Sequence, residues 1–323
     1  MKYIHKTYLL FVTMCTMHSS FADFITYELI PGSRLGDHLI TYSKAKLASY
    51  LSGLPLYCPP FKMSDQLALS IHETYVPKKT KRTVILDNDQ SICPTTYNSP
   101  IEHVCTLKTA IHGLKGFNDY YRYARANPTF KAELMRTICP LQPITAMPLP
   151  ANMITVAVHV RMGGGFDKPL LMKSGIRTKP RGNHQFADQM YPQRFPPEEY
   201  YSEQIAKASQ LYNNKPLFVH IFTDDQNPSA IVARFKKKLS HLNITFSCRA
   251  TGNAHDANVL DDLFNMMRFD CLIRPASSYS KIAQLLGNHS IIIYPKRVHW
   301  IKNKLVADKI GIINNILKTK SLL

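Results

Sequence analysis

A short stretch at residues 155–167, TVAVHVRMGGGFD, combines the pattern of a buried strand with groups that bind anions. Its alternating valines predict a strand over residues 156–160. Arg161 would then stand at the carboxyl end of that strand, where ligands collect in open α/β sheets, and its planar guanidinium matches the oxygens of a phosphate. Gly163 and the two glycines after it would let the backbone approach such a ligand closely. The alternative is an ordinary ion pair beside a flexible turn.

Two further polar clusters lie beside predicted strands. Asp224 and Asp225 follow the apolar run LFVHIF, while Ser277 and Ser278 follow the run CLI, with Asp262 on the predicted helix before it. If these clusters share one sheet edge with the arginine, they would surround one ligand, and the set fits a nucleotide. Carboxylates accept hydrogen bonds from ribose or base, whereas arginine, hydroxyls and helix-start N–H groups hold a diphosphate. Each cluster taken alone would instead be ordinary capping of the following helix.

The elements that must position these groups alternate between strand and helix. The sequence alternates between patterns typical of strands and patterns typical of helices. The strand patterns lie at 24–30, 83–87, 153–160, 217–222, 244–246, 271–273 and 290–294. The helical patterns lie at 38–51, 118–137, 198–211, 229–239, 259–268 and 280–286. This alternation predicts two Rossmann-type, doubly wound α/β domains facing a cleft. Four prolines within residues 139–152 indicate a linker. We therefore expect an N-terminal α/β domain at 23–150 and a C-terminal α/β domain at 151–323.

The composition is that of a basic globular protein. A chain of 323 residues with 45% hydrophobic content can bury one large core or two smaller ones. Its formal net charge of +18 favours nucleic acid, an anionic membrane or a phosphate-bearing small molecule as partner. The lysines and arginines are scattered and no DNA- or RNA-binding motif accompanies them, so we expect no nucleic-acid partner.

The first 22 residues are typical of a signal peptide. Lys2 and Lys6 precede an apolar stretch at 8–17, and residues 20–22 (SFA) carry small residues at the positions that signal peptidase favours. We therefore predict export, to the cell exterior, the periplasm or a secretory lumen. An uncleaved anchor is the weaker alternative, because the stretch is short for a bilayer span. No later segment is apolar over such a length, so we expect no integral span after cleavage.

Six cysteines remain after the signal segment. In an oxidising compartment they could form bridges, in pairings that the sequence leaves open. None stands in a C-x-x-C pair, which disfavours zinc and thioredoxin-like chemistry. Cys271, in the apolar run CLI, is expected to be a buried small hydrophobe rather than a nucleophile. The six are Cys58, Cys93, Cys105, Cys139, Cys248 and Cys271.

Four segments, in this order, resemble the GDP-fucose-dependent α-1,2 and α-1,6 fucosyltransferases and their protein O-fucosyltransferase relatives. Residues 32–39 (GSRLGDHL) resemble the family's loop G-x-x-L-G-N-Q-L, and residues 159–161 (HVR) match its H-x-R core. Residues 222–225 (FTDD) are similar to its strand-end T/S-D-D, and residues 260–279 to its final motif with paired serines. The glycine-rich HVRMGGGFD is most similar to the bacterial nodulation fucosyltransferases. The resemblance spans nearly the whole mature chain and implies a GT-B-like fold.

The resemblance also implies that residues 23–150 form the acceptor-side domain and residues 151–323 the nucleotide-sugar-binding domain, with a donor site for GDP-fucose. In such a site Arg161 and Ser278 grip the β-phosphate, His159 and Asp262 read the guanine edge, and an aspartate after the next strand supports the ribose or the loop. The donor-binding residues that it implicates are His159, Arg161, Gly163, Asp224, Asp225, Asp262, Ser277 and Ser278.

The reaction implied by the resemblance is inverting transfer of L-fucose to a glycan hydroxyl. Arg161 would stabilise the charge that grows on the departing diphosphate and replace a divalent metal there, so we expect no metal and no cofactor besides the donor. Inversion needs a base for the acceptor proton. Asp167 is our first candidate because it lies in the same loop as Arg161, where it would equally serve as a structural partner of the arginine. Asp37 and His38 are the other candidates for the base.

The sequence departs from the family's motifs at two places, and two other classes of function stay open. Asp37 and His38 replace the usual Asn-Gln, and Met162-Gly163 replaces the common second arginine and its neighbour, which leaves the acceptor class undecided. An exported, non-catalytic glycan- or nucleotide-binding protein would keep the fold and bind GDP without transfer. A basic surface protein would bind heparin without GDP. The sequence leaves the acceptor, the linkage and the oligomeric state open.

Overall fold

The N-terminal part of the computed structural model is built on a three-stranded parallel sheet in the order β1-β3-β2. Its strands are β1 (Phe24–Tyr27), β2 (Arg82–Leu86) and β3 (Ile101–Cys105). Helix α1 (Leu35–Ser52) follows β1 through a turn in which Gly32 has a φ of 76°, a conformation that glycine adopts without steric cost. The predicted unit of strand, glycine loop and helix is confirmed.

The structure describes residues 23–73, 82–86, 101–105, 114, 116–162, 191–302 and 304–316. The predicted signal peptide at 1–22 lies outside the described residues, as do Cys93, Gly163 and Asp167. Within these ranges, no helix combines the length and the apolar character that crossing a bilayer requires.

The described residues of this part form three further helices: α2 (Leu69–His72), α3 (Phe117–Ala126) and α4 (Pro128–Thr137). The prediction of one helix over 118–137 is wrong at its centre. Pro128 has no N–H to donate and disfavours helical backbone in the residue before it. Asn127 accordingly has a φ of −117°, ends α3, and accepts a hydrogen bond from the Phe130 N–H at 3.0 Å as the cap of α4.

The C-terminal part contains a six-stranded sheet in the order β6-β5-β4-β7-β8-β9. Five of its strands are parallel, and the last one returns antiparallel at the edge. The strands are β4 (Ile154–Val160), β5 (Leu217–Thr223), β6 (Ile244–Cys248), β7 (Cys271–Ile273), β8 (Ile291–Ile301) and β9 (Lys304–Asn314). Because β4, β5 and β7 are parallel, their carboxyl ends share one edge, as the sequence predicts.

Outside residues 163–190, which the structure does not describe, four helices alternate with these strands, as expected for a doubly wound sheet. They are α5 (Glu198–Leu211), α6 (Pro228–Lys238), α7 (Val259–Met266) and α8 (Ser278–Leu286). The predicted doubly wound α/β class is confirmed. The predicted bounds of α5 and β7 match the structure at both ends, while α8 begins two residues before its predicted start at Ser280.

The two faces of β4 join two different hydrophobic cores. Val156 and Val158 pack into the core that contains residues of α5 and α6. Ala157 faces the other way and shares a core with Leu39 and Tyr42 of α1. Side chains alternate between the faces of a strand, so one short strand connects both cores. The core that contains Ala157 includes residues from both halves of the chain and packs α1 against α8. The domain boundary at residue 150 therefore stays a prediction.

The described cysteines, which the sequence allows to form bridges in an oxidising compartment, are all free thiols here. Cys271 is fully buried on β7, and its burial raises the pKa of its thiol. This is the inert, hydrophobic role that its apolar surroundings predict.

Helix α1 approaches α8 so closely that only glycine fits at position 36. A Cβ atom on Gly36 would lie 2.3 Å from the backbone N and 2.6 Å from the Cα of Tyr279. We expect Gly36→Ala to lower the free energy of unfolding by about 1–3 kcal/mol, because backbone cannot move aside and the clash exceeds the helix-propensity gain of about 1 kcal/mol. Urea denaturation measures the change. Gly116→Ala, whose added Cβ would meet its nearest atom at 4.0 Å, is the control, and equal stability of both variants would contradict the prediction.

Candidate active site

A cavity lies where the carboxyl ends of β4 and β5 face the start of α1. Its volume is about 1090 Å³ including its open mouth. The strand ends contribute His159, Arg161 and Asp224, while the first turns of α1, α7 and α8, the turn at 254–257 and residues 62–63 also line it. Most of the polar groups that the sequence places at three strand ends and helix starts thus meet at one cavity, and Asp225 does not.

Arg161 is held at the start of α8. Its Nη1 donates a hydrogen bond of 3.1 Å to Oγ of Ser277, a residue only 1% exposed, and its guanidinium carbon lies 5.5 Å from the centroid of the Phe195 ring. Ser278, the first residue of the helix, also lines the cavity. An anion at this point would meet both a fixed positive charge and a helix N-terminus.

Three helices begin at this cavity without a capping side chain. Arg34 precedes α1, Asn258 precedes α7 and Ser277 precedes α8, and none of these side chains accepts a hydrogen bond from its helix. The N–H groups of a first turn have no partner within the helix. Each helix also carries about half a positive charge at this end. The wall is therefore rich in hydrogen-bond donors and positive potential.

His159 is a neutral imidazole with one unused nitrogen. The residue is 8% exposed, and its Nδ1 has no hydrogen-bond partner in the part of the chain that the structure describes. Burial and then the charges of Arg161, Arg274 and Arg34 lower the pKa of His159 to about 3. Its ring lies edge-on to Tyr279, with the centroids 5.5 Å apart. A neutral imidazole offers one donor and one acceptor, which suits a nucleobase better than an anion.

The paired aspartates after β5 have different partners. Asp224 lines the cavity, and its Oδ1 accepts a hydrogen bond of 2.6 Å from the N–H of Met162, directly after Arg161. Asp225 accepts from the N–H of Asn227 at 2.6 Å and does not line the cavity. The cap of α6 is Asn227 itself. Neither aspartate therefore caps the helix, and Asp224 fixes the backbone that presents the arginine.

Asp262 faces the cavity from the first turn of α7 and is already paired. Nη2 of Arg249 donates to its Oδ1 at 2.5 Å. Burial raises the pKa of Asp262, and the contact with Arg249 opposes that effect. Arg249 is a site residue that the sequence did not reveal, because the strand predicted at 244–246 ends two residues too early; the observed β6 ends at Cys248, directly before Arg249.

Two of the three candidate bases lie in the described part of the wall. Asp37 and His38 line the cavity from the first turn of α1. The His38 ring stacks on Phe61 at 5.0 Å between centroids, and burial lowers the pKa of His38. Asp167, the first candidate, lies outside the described residues together with Gly163. The described residues contain no group of three or more His, Cys, Asp or Glu side chains suited to a metal ion.

Comparison with known proteins identifies the fold. No family model and no curated protein matches the sequence. Among solved structures, a FUT1 variant of Arabidopsis thaliana in complex with GDP matches with a TM-score of 0.51 and 12% identity, over 87% of this chain and 72% of that one. The chain has a GT-B-like, fucosyltransferase-type fold.

Two other fucosyltransferases match over more of their own length. POFUT1 in complex with GDP-fucose has a TM-score of 0.44 and 10% identity, over 83% of this chain and 94% of that one. NodZ from Bradyrhizobium has a TM-score of 0.43 and 12% identity, over 91% and 99%. The fold assignment rests on the match to FUT1.

Within this GT-B-like fold, Tyr279 in the first turn of α8 also lines the cavity. Its ring faces His159, and its hydroxyl donates a hydrogen bond of 2.6 Å to the carbonyl of Val259 at the start of α7. This contact joins the starts of α7 and α8 at the cavity wall.

Proposed function

We propose that this chain is a glycosyltransferase that moves L-fucose from GDP-fucose to a glycan hydroxyl with inversion. The observation that carries the proposal is the hydrogen bond between Arg161 and Ser277 at the meeting point of three uncapped helix N-termini. Guanidinium, hydroxyl and free N–H groups are the donors that a diphosphate needs. The likeness in fold to a GDP-bound fucosyltransferase supports the same assignment.

The arrangement suits departure of GDP. When the bond between the sugar carbon and the β-phosphate oxygen breaks, its electron pair stays on the phosphate, where Arg161 and the first turn of α8 would stabilise the new charge. The acceptor oxygen forms the new bond from the opposite face of the sugar carbon, and its proton passes to a base. Because the protein supplies this positive charge itself, we propose that transfer requires no metal.

For the base we retain Asp167, with Asp37 as the alternative that lies in the described cavity. Asp37 lines the same cavity as Arg161, from the first turn of α1. Its carboxylate would take the acceptor proton if the acceptor enters beside that turn. Export through residues 1–22 also remains part of the proposal, with the reaction in a compartment or a host that supplies GDP-sugars.

Base recognition yields a test of the donor assignment. An ionised Asp262 would accept from the two adjacent N–H donors of guanine, which uracil and adenine do not present in the same arrangement. We expect Asp262→Asn to reduce the preference for GDP over UDP by about 10–100-fold, the worth of a hydrogen bond to a charged group. Competition calorimetry with GDP, UDP and ADP measures it. Asp225→Asn, outside the cavity wall, is the matched control, and equal competition by GDP and UDP against the wild type would reject the assignment.

The reaction itself is tested with radiolabelled GDP-fucose and an array of glycans, in the presence and absence of EDTA. The proposal predicts label transfer that EDTA leaves unchanged and a product of inverted anomeric configuration. Strict dependence on a metal would reject the proposed role of the protein's own charges. A product with retained configuration would reject the single displacement, and GDP binding without any transfer would favour a non-catalytic binding protein.

A further inference from the structure

The ion pair between Arg249 and Asp262 joins two elements at the cavity. Strand β6 is parallel to β5 and therefore ends at the same sheet edge, where Arg249 follows it directly. Nη2 of Arg249 donates to Oδ1 of Asp262, in the first turn of α7, at 2.5 Å. Asp262 lines the cavity, whereas Arg249 does not. The arginine thus contacts the carboxylate from outside the cavity wall.

The connection that carries Arg249 is fastened by its own side chains. Nδ2 of Asn253 donates to the carbonyl of Arg249 at 2.8 Å, and Nδ2 of Asn258 donates to the carbonyl of Gly252 at 2.9 Å. Gly252 and Asn258 have φ angles of 75° and 50°, a left-handed conformation that these two residue types adopt more readily than others. The backbone is therefore fixed on both sides of the ion pair, and Arg249 reaches Asp262 from a defined place.

This pair is less exposed than an ordinary surface ion pair. The side chains of Arg249 and Asp262 are 32% and 19% exposed, while those of Arg234 and Glu198, which pair at 2.7 Å, are 54% and 37% exposed. Partial removal from water strengthens the interaction between charges but also costs hydration, so such a pair adds little to the stability of a fold. We therefore ask what the pair does to the carboxylate that lines the cavity.

The charge of Asp262 depends on Arg249. Burial raises the pKa of the Asp262 carboxyl, the hydrogen bond and the charge of Arg249 lower it, and the charge of Asp261 raises it. Loss of Arg249 would leave both raising effects in place. An ionised carboxylate accepts hydrogen bonds at both oxygens, whereas a protonated one carries an O–H that donates. The two adjacent N–H donors of guanine therefore require the ionised form.

Further titratable groups reach the same wall from α8, β4 and the turn at 254–257. Burial raises the pKa of Tyr279 and lowers that of His159 to about 3, so both are neutral between about pH 5 and 8. His255 and Asp256 are exposed residues of the turn. All of these groups are common to the wild type and to any variant of Arg249. A difference between two such pH profiles therefore reports the loss of the arginine.

The contact, the cavity wall and the chemistry of guanine together assign a role to this arginine. Resting on the proposed function, we propose that Arg249 is a positioning residue for the guanine: its hydrogen bond keeps the Asp262 carboxylate charged and fixed in the cavity wall, while Arg249 itself does not touch the nucleotide. Arg249 uses one lone-pair site of the carboxylate, and the others are available to the base. The pair thereby sets the pH range in which the protein distinguishes GDP from other nucleotides.

The test is the ratio of the affinities for GDP and UDP, measured by competition calorimetry between about pH 4 and 8. Ionisation of the phosphates cancels in this ratio because both nucleotides share it. Since the ionised carboxylate is the acceptor, the preference for GDP is present above the pKa of Asp262 and is lost as the pH falls through it. A raised pKa moves this loss to higher pH. We expect its midpoint to lie about 1 pH unit or more higher in Arg249→Gln than in the wild type.

Three further variants serve as checks on this shift. Arg249→Met, which keeps an unbranched apolar stem, should give the same shift and supports the result if Arg249→Gln folds poorly. Arg249→Lys retains the charge and should restore most of the wild-type profile. Arg234→Gln removes an arginine of equal charge from the surface pair with Glu198 and should leave the midpoint unchanged.

A double variant shows whether Arg249 acts through Asp262. In Asp262→Asn no carboxylate is left to hold, so the further change Arg249→Gln should alter the ratio of GDP to UDP affinity by less than about 2-fold. An arginine that touches the nucleotide would lower this ratio further. An arginine that only anchors the connection to α7 would, in the single variant, weaken GDP and UDP equally and leave the midpoint in place. Either result would overturn the inference.

Failure of this inference is distinguishable from failure of the proposed function. If the wild type binds GDP no more tightly than UDP at any pH, the donor assignment fails and Arg249 has no guanine to position. If the wild type prefers GDP and Arg249→Gln has the same midpoint, the donor assignment stands and the positioning role is rejected.

Discussion

Replacing the catalytic base should nearly abolish turnover while donor binding stays intact. Loss of general-base assistance lowers rates by about 10²–10⁴-fold. We therefore expect Asp167→Asn to lower kcat by that factor, with a Kd for GDP equal to that of the wild type, because the base acts on the acceptor proton and not on the nucleotide. Initial rates of fucose transfer and calorimetry with GDP measure the two quantities on the same preparation.

Asp37→Asn is the matched variant, because it makes the same change at the alternative base in the first turn of α1. If Asp37 is the base, the loss of turnover appears in this variant and Asp167→Asn is active. Full activity of both variants would reject a carboxylate base at either position. A parallel loss of GDP affinity would instead place the affected side chain at the nucleotide.

Removal of the Arg161 guanidinium should weaken donor binding and turnover together. Its charge-assisted hydrogen bonds are worth about 1.5–3 kcal/mol, so Arg161→Ala should raise the Kd for GDP by about 10–150-fold. The loss in kcat/KM should be larger still, because the charge on the departing phosphate is greater in the transition state than in the bound donor. Calorimetry and initial rates measure the two effects.

Arg122→Ala is the control for this substitution. Arg122 is an exposed arginine of α3 with a surface contact to Asp119, so the variant has the same change in charge without a change at the cavity. It should bind GDP and turn over like the wild type. If Arg161→Ala binds GDP as tightly as this control does, the diphosphate is not at the strand end of β4.

Much of the architecture follows from local patterns in the sequence. The run CLI is a strand because it is short, apolar and fully buried, and the double proline before α5 marks a helix start at Glu198. The glycines and the arginine after β4 predict a ligand at the sheet edge because parallel strands end on one side. These features need only near neighbours in the chain, which explains why they are predictable.

The remaining features depend on partners that are distant in the sequence. Strand β9 is stabilised by antiparallel pairing with β8, from Ile291 opposite Asn314 to Ile301 opposite Lys304, and the alternation of helix and strand gives no sign of it. The contact of Arg249 with Asp262 crosses from a strand end to a helix start, and no spacing rule predicts such a pair.

Calorimetric titration of the wild-type protein with GDP in the presence of EDTA tests the central claim most directly. In the proposed donor site, Arg161, Ser277 and three helix N-termini bind the diphosphate, and His159 and Asp262 bind the guanine. We therefore expect saturable binding of GDP without any metal, and weaker binding of UDP and ADP. Absence of GDP binding in EDTA, or equal affinity for GDP and UDP, would contradict this donor site.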